Sequence, residues 1–179
     1  MPSGQSVNAF EYFRPQTVTV TAFQRRWVLE AGSAYDWLGA AAVDLDHLSG
    51  IFPGLVADDR LDDLWDLSVA GDFGKRCALA ARAAYGRASG KDWWWALNLT
   101  RKILGGWSVI NGVMVREGIR ATDTGFADYC DALYSLMWQN GKDEDRMRLD
   151  IELAMLPAGV RVRQSSAQKK AMLAAFAAE

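Results

Sequence analysis

The single histidine, His47, lies among residues that would supply acid–base or nucleophilic chemistry. Asp44 and Asp46 precede it and Ser49 follows, so a carboxylate, an imidazole and a hydroxyl occur within six residues. A catalytic triad needs these groups to converge in space, and neighbours on one turn of chain rarely do so. No Gly-x-Ser-x-Gly motif accompanies them. We therefore interpret His47 as a surface or capping residue and expect the chain not to be an enzyme.

Residues 86–92, with the sequence GRASGKD, superficially resemble a phosphate-binding loop. The Walker motif needs four residues between its glycines and a Ser or Thr after its lysine. Here three residues separate the glycines and Asp92 follows Lys91, where its charge would repel phosphate. Cys77 and Cys130 lack the Cys-x-x-Cys spacing of a zinc site. We interpret residues 86–92 as a turn between helices and expect neither a cofactor nor a bound metal.

Aspartates are concentrated between residues 44 and 72, where eight of them accompany one base, Arg60, for a net charge of -7. Four are predicted to share one helical face, opposite an apolar face of Leu61, Leu64 and Trp65: Asp59, Asp62, Asp63 and Asp66. Carboxylates bind hard divalent cations, but one helix face offers a flat row and not a concave shell. We favour a solvated face over a metal site, with a docking surface for a basic partner as the intermediate interpretation.

The C-terminal segment, residues 161–179, carries the complementary charge. Its bases outnumber its acids by three: Arg161, Arg163, Lys169 and Lys170 against Glu179. A helix is predicted from Ser166, with Met172, Leu173 and Phe176 on one side. An amphipathic helix of this kind docks in a groove of its own or another protein, and four spaced bases without aromatics between them are weak evidence for nucleic-acid binding. We expect a protein partner to bind through the acidic face and this segment, two patches that can also meet within one molecule or between copies.

Three consecutive tryptophans, Trp93, Trp94 and Trp95, form the most unusual local string. On a helix they point 100° apart, so they cannot all face one core. At least one must pack on another element or lie at the surface, where indole favours protein interfaces. Burial by flanking helices and exposure to a partner both fit the string. We name Trp93 and Trp94 as candidate partner-binding residues.

Composition places the chain among globular proteins. Half of its 179 residues are hydrophobic, and 20 Lys and Arg against 22 Asp and Glu leave a net charge of -2. This balance lacks the basic excess of a nucleic-acid-binding protein. The sequence contains no apolar run near the roughly 20 residues that span a bilayer, and residues 1–15 do not resemble a signal peptide. We expect a cytosolic protein that binds neither membrane nor specific nucleic acid.

Periodicity predicts a mainly α fold class: a compact helical bundle with a short N-terminal β-hairpin and extended terminal arms. We divide the chain into an N-terminal arm (1–15), a helical core domain with its hairpin (16–160), and a C-terminal linker and amphipathic helix (161–179). Residues 17–21, TVTVT, alternate as a half-buried strand does. The hairpin would turn around residues 23–25, although no Asn-Gly or Asp-Gly pair marks it.

Helices are predicted after Ser33 and from Asp58, Asp72, Asp92 and Thr124. Residues 142–156 read as helix but also fit strand alternation. The stretch from Asp92 to about residue 117 is the longest, and Trp107 stands at the centre of an apolar stripe along it: Trp93, Leu97, Thr100, Leu104, Trp107, Asn111 and Met114. The glycine pair at residues 105–106 predicts a close helix crossing, a kink or a break.

The order of several motifs carries a family resemblance. The first three are Trp37-Leu38, LSGIFPGL at residues 48–55 and DWWWAL at residues 92–97. Four more follow: Trp107 with Asn111-Gly112, Gly118-Ile119, DYCDALY at residues 128–134 and LPAGV at residues 156–160. This series resembles the small helical tail-assembly chaperones of long-tailed, siphovirus-type bacteriophages that infect actinobacteria. The resemblance covers residues 17–160.

The resemblance implies a viral protein that works by protein–protein interaction. It would be a non-enzymatic helper in the host cytoplasm that coats the tape-measure protein, helps to recruit tail-tube subunits and then leaves; self-association is a further option. The first alternative is a permanent virion component, such as a head–tail connector or minor tail protein. The second is a small hydrolase, which the single histidine and the failed phosphate loop disfavour.

Overall fold

The computed structural model describes residues 16–31, 33–45, 48, 50–69 and 71–157. Within them lie one antiparallel hairpin and eight α-helices, which confirms the predicted mainly helical class. The elements in chain order are β1 (Gln16–Ala22), β2 (Arg25–Ala31), α1 (Ala34–Ala42), α2 (Ile51–Gly54), α3 (Leu61–Ser68), α4 (Phe73–Ser89), α5 (Trp93–Gly105), α6 (Trp107–Arg116), α7 (Phe126–Asn140) and α8 (Asp143–Ala154). The predicted terminal arms and His47 lie outside the described residues.

The hairpin forms where the alternation of β-branched residues predicted it. Strand β1 pairs with β2 so that Val18 stands opposite Leu29 and Val20 opposite Trp27. All four side chains are buried, because this face of the hairpin packs along α4. The threonines between them point away from that face, as the period of two requires.

Tertiary packing stabilises the hairpin turn. Phe23 and Gln24 have φ angles of 52° and 60°, a left-handed conformation that costs a non-glycine residue roughly 1–2 kcal/mol. The Phe23 ring lies 6.1 Å from the Phe52 ring and 5.4 Å from the Phe73 ring. The Arg76 guanidinium stands 5.8 Å from its centroid. These contacts offset the strain of a turn for which the sequence has no Asn-Gly or Asp-Gly signal.

Three buried aromatic rings join α1, α4 and α7. Trp37 stacks on Phe126 at 5.9 Å, and Tyr85 lies 4.9 Å from Phe126 and 6.1 Å from Trp37. The Tyr85 hydroxyl is hydrogen-bonded to the Thr100 hydroxyl on α5. All four side chains are fully buried. The cluster therefore links four helices that are distant in sequence.

Small residues bring α4 close to its neighbours. A Cβ on Gly86 would lie 3.2 Å from the Lys91 carbonyl oxygen and 3.4 Å from the Trp93 nitrogen, so a side chain here would press on the start of α5. Gly90, with φ of 65°, ends α4 in the left-handed conformation that glycine adopts readily. Residues 86–92 are thus the end of one helix and the turn to the next, as predicted.

The predicted helix from Asp92 to about residue 117 is two helices. Gly106 is non-helical, with φ of -126°, and the helix is interrupted there, which is one of the outcomes that the glycine pair allowed. Because α6 does not continue the axis of α5, the apolar stripe does not run on into one core, and Met114 is the one buried residue of α6. Placing Trp107 at the centre of that stripe was wrong: it is half-buried, 6.3 Å from the Tyr35 ring.

Two further boundaries differ from the sequence prediction or decide between its alternatives. The helix predicted from Asp58 begins with a 3-10 turn over Asp58–Arg60, and α3 follows from Leu61. The stretch at residues 142–156 is helix α8, so strand alternation there was misleading. The Asn98 amide on α5 donates to the carbonyls of Glu152 and Met155 at 3.1 and 2.8 Å, which satisfies acceptors that a helix end leaves free.

The difference between the two tryptophans predicts unequal stability losses. Replacing fully buried Trp37 by alanine should lower the free energy of unfolding by about 3–5 kcal/mol. Trp107→Ala deletes the same side chain where it is half-buried, and we expect less than about 2 kcal/mol. Urea unfolding followed by circular dichroism measures both. Equal losses would contradict the placement of Trp37 in the core cluster.

Candidate protein-docking surface

An apolar surface groove runs beside α3. Its volume is about 300 Å³, and one polar side chain, Ser68, lies among its lining residues: Pro53, Leu61, Leu64, Trp65, Ser68 and Phe73. The Ser68 hydroxyl donates to the Trp65 carbonyl at 2.6 Å, so its one proton is already used within the helix. The groove therefore suits apolar side chains of a partner.

The groove exists because α3 is fastened along one edge only. Leu64 is its one buried residue. On the hairpin side, Asp63 accepts from Arg60 Nε at 2.7 Å and lies 3.5 Å from an Arg25 nitrogen. The Arg60 guanidinium also covers the buried Trp27 ring, 5.0 Å from its centroid. The opposite edge of α3, along the groove, has no comparable clamp among the described residues.

Trp65 stands at the rim of the groove with 70% of its surface exposed. The predicted apolar face of Leu61, Leu64 and Trp65 lines the groove, and Trp65 is its exposed member. The 100° step from Leu64 carries the indole past the core, and no described element covers it. A large exposed indole beside an apolar groove is typical of a protein interface.

The predicted acidic face is divided by the structure. Asp63 is half-buried and belongs to the ion pairs that hold α3. Asp59, Asp62 and Asp66 are exposed and take part in no ion pair in the described part of the chain. Three of the four predicted carboxylates are thus available to a partner. No group of three or more possible ligand residues there is arranged to hold a metal ion.

The tryptophan string lies at the other end of α4. Trp93 packs under the Arg82 guanidinium, 4.7 Å from the ring centroid, and meets Trp94 edge-on at 5.9 Å. Trp95 contacts the Tyr134 ring at 5.6 Å. All three indoles are half-buried, so the string is neither wholly core nor wholly surface.

The structure does not bring the two candidate surfaces together. The groove includes Phe73 at the start of α4, and Trp93 approaches that helix at Gly86. Thirteen residues of helix at 1.5 Å each separate Phe73 from Gly86, about 20 Å. Trp93 and Trp94 therefore belong to a second surface. The other predicted partner residues, Met172, Leu173 and Phe176, lie outside the described residues.

Two features of the surface were not found from the sequence. Phe73 and Pro53 line the groove from α4 and α2, and only the tertiary arrangement places them beside α3. A second feature is a stripe of exposed side chains, Met147 and Ile151 on α8 and Met155 just after its end. Its spacing of four residues is a helical signal that sequence reading could have found.

Comparison of the chain with protein-family models, with curated proteins and with solved structures finds no match. Within the described residues, the helices are too short or too polar for any of them to cross a membrane.

Both cysteines are buried, Cys77 on α4 and Cys130 on α7. Burial raises the pKa of the Cys77 thiol to about 11 and raises that of Cys130 as well. Because the thiolate is the reactive form, both should react slowly with thiol reagents while the chain is folded.

We expect this protection to end on unfolding. At pH 8, about one Cys77 thiol in a thousand is ionised when the pKa is about 11. A colorimetric thiol assay at pH 8 should therefore titrate neither cysteine in the native protein and both in 6 M guanidinium chloride, about the concentration that unfolds even very stable domains. Rapid labelling of native Cys77 or Cys130 would contradict their burial.

Proposed function

We propose that the chain is a non-enzymatic tail-assembly chaperone of a long-tailed bacteriophage, which binds the tape-measure protein and helps to recruit tail-tube subunits in the host cytoplasm. The motif series at residues 37–160 suggested this family. The observation that carries the proposal is the α3 groove, an apolar hollow with an exposed Trp65 at its rim, formed by a helix whose Asp62 and Asp66 make no ion pair with any described residue.

The groove suits one side of an amphipathic helix. In helix-in-groove recognition, apolar side chains at positions i, i+3, i+4 and i+7 enter a hydrophobic groove. Trp65 would cover such side chains, and Leu64 and Phe73 would line the floor and wall. Apolar segments of a tape-measure protein that await packing into a tail are a partner of this chemistry.

The carboxylates would select a basic partner. Asp62 and Asp66 are exposed on α3, the helix that forms one side of the groove, and Asp59 is exposed on the turn before it. At physiological salt, exposed charges act over about 8 Å, so they favour bases flanking the docked apolar residues and not distant ones. Charges of this kind mainly set orientation and association rate, while apolar contacts supply most of the affinity.

Transient binding fits the size of the groove. A hollow of about 300 Å³ accepts only a few side chains. Small interfaces are typical of weak or short-lived complexes. A chaperone must release the tape-measure protein before the tail is complete, so modest affinity at each groove, repeated along a long partner, serves that task.

A pull-down with the tape-measure protein of the same phage tests the groove. Trp65→Ala should weaken binding about tenfold or more, because exposed aromatic anchors dominate interface energies. The double change Asp62→Lys and Asp66→Lys should weaken it further. Matched controls are Tyr35→Ala, an exposed aromatic on α1, and Glu117→Lys with Glu144→Lys, which reverse two exposed charges elsewhere.

The controls should bind as the unchanged chain does. Trp94→Ala separates the two candidate surfaces. Loss of binding with Trp94→Ala and not with Trp65→Ala would move the site to the other end of α4 and contradict the groove. Unchanged binding in all variants would remove the proposed site altogether.

The distribution of the protein tests whether it is a chaperone or a virion component. We expect mass spectrometry to detect it in lysates of infected cells and not in purified particles. Its recovery from particles in a fixed ratio to the tail-tube protein would favour the head–tail connector or minor tail protein instead.

A further inference from the structure

We propose that the α3 groove is occupied, within the same molecule, by the chain's own C-terminal segment, residues 161–179. This deepens the function proposed above, since the segment would compete with the tape-measure protein for one groove. The occupant is part of this chain, and neither a second copy nor a foreign peptide is required.

Charge complementarity is the first argument. On α3 and the turn before it, Asp62, Asp66 and Asp59 are exposed without ion pairs in the described part of the molecule. Residues 161–179 carry four bases and one acid, a net charge of +3 in a chain whose total is -2. The two segments are thus the oppositely charged extremes of a nearly neutral protein.

Apolar complementarity is the second. The groove offers five apolar lining residues around one satisfied serine. The segment offers Met172, Leu173 and Phe176 at the spacing of one helical face, with Lys169 and Lys170 just before them. Apolar side chains would enter the groove, the arrangement of a helix in a groove, while the lysines would approach exposed Asp62, which precedes Trp65 by one helical turn on α3.

Reach is the third. The described chain ends at Pro157, and 22 residues follow it. Residues 158–165 alone span about 28 Å when extended. A domain of about 140 residues has a radius of gyration of about 14 Å, so the extended linker spans about twice that distance before the predicted helix begins. Tethering raises the local concentration of the segment to the millimolar range, which favours docking in the same molecule over dimerisation.

Occupancy by its own segment would shield the apolar groove from solvent. An exposed apolar groove with Trp65 at its rim is a liability for aggregation. The docked segment would compete with a partner that offers several such segments in series.

Chemical cross-linking of the full-length chain tests this proposal. Ser68→Cys places a thiol in the groove, Ala177→Cys places one beside Phe176, and the buried native cysteines stay unreactive. A short bismaleimide should join the two engineered thiols within one chain, seen as a faster-migrating monomer and as a linked tryptic peptide pair. The yield should not depend on protein concentration.

A second pair of engineered cysteines, away from the groove, gives the background yield of cross-linking. Ser108→Cys, on exposed α6, with Ala177→Cys should cross-link about tenfold less, since only docking gives the tether its high local concentration. Val69→Cys, at the fully accessible end of α3, is made in parallel in case Ser68→Cys unfolds. Adding Asp62→Lys and Asp66→Lys should reduce the yield several-fold.

Each outcome decides the proposal. A monomeric cross-link above the Ser108 background, weakened by the lysine changes, supports it. Cross-linked dimers in place of the monomer would mean that a second copy fills the groove. Yields equal to the background would mean that no part of this chain fills it. Either result overturns the proposal. No tape-measure protein is present, so failure here leaves the proposed function standing, and failure of the pull-down leaves this docking standing.

Discussion

The fold depends on the contact that Tyr85 makes at the centre of the bundle. Its ring lies against Phe126 and Trp37, and its hydroxyl bonds to Thr100, so one side chain of α4 joins α1, α5 and α7. Burial raises the pKa of the phenol above its ordinary value, which keeps the hydroxyl protonated at every physiological pH. A buried hydroxyl without a partner would cost about 1–3 kcal/mol, so Thr100 is what makes a tyrosine acceptable here. This cluster holds α4 and α5 together. The hairpin packs against α4 and α8 packs against α5, so the positions of both follow from the cluster.

The periphery is built by different means. The hairpin turn is held by Phe23 against Phe52 and Phe73, and α3 is attached through Leu64 and the ion pairs of Asp63. Attachment along one edge leaves the other edge of α3 beside an apolar hollow. The groove is thus a consequence of how α3 is fastened, and Asp62 and Asp66 of the same helix remain exposed.

The acidic run shows why a sequence pattern does not specify the role of each residue. By spacing alone, Asp59, Asp62, Asp63 and Asp66 are equivalent. In the fold, Asp63 meets Arg60 and Arg25 and becomes part of the scaffold, while the other three remain exposed. Arg25 comes from a strand 38 residues earlier in the chain, so no local pattern could have distinguished Asp63 from its neighbours.

Local patterns in the sequence were enough to predict the mainly helical class, the hairpin strands, the Ser33 start of α1 and the turn at residues 86–92, while the glycine pair left a close crossing, a kink or a break open. Each of these depends on period, capping or glycine conformation within a few residues. Tertiary structure alone decided that Trp107 is half-buried, that Trp65 is exposed, and that Phe73 and Pro53 meet Leu61 and Leu64 in a groove. The physical reason is that burial depends on which distant element covers a side chain. A helical stripe shows which residues share a face, and only packing determines whether that face meets another helix, a groove or solvent.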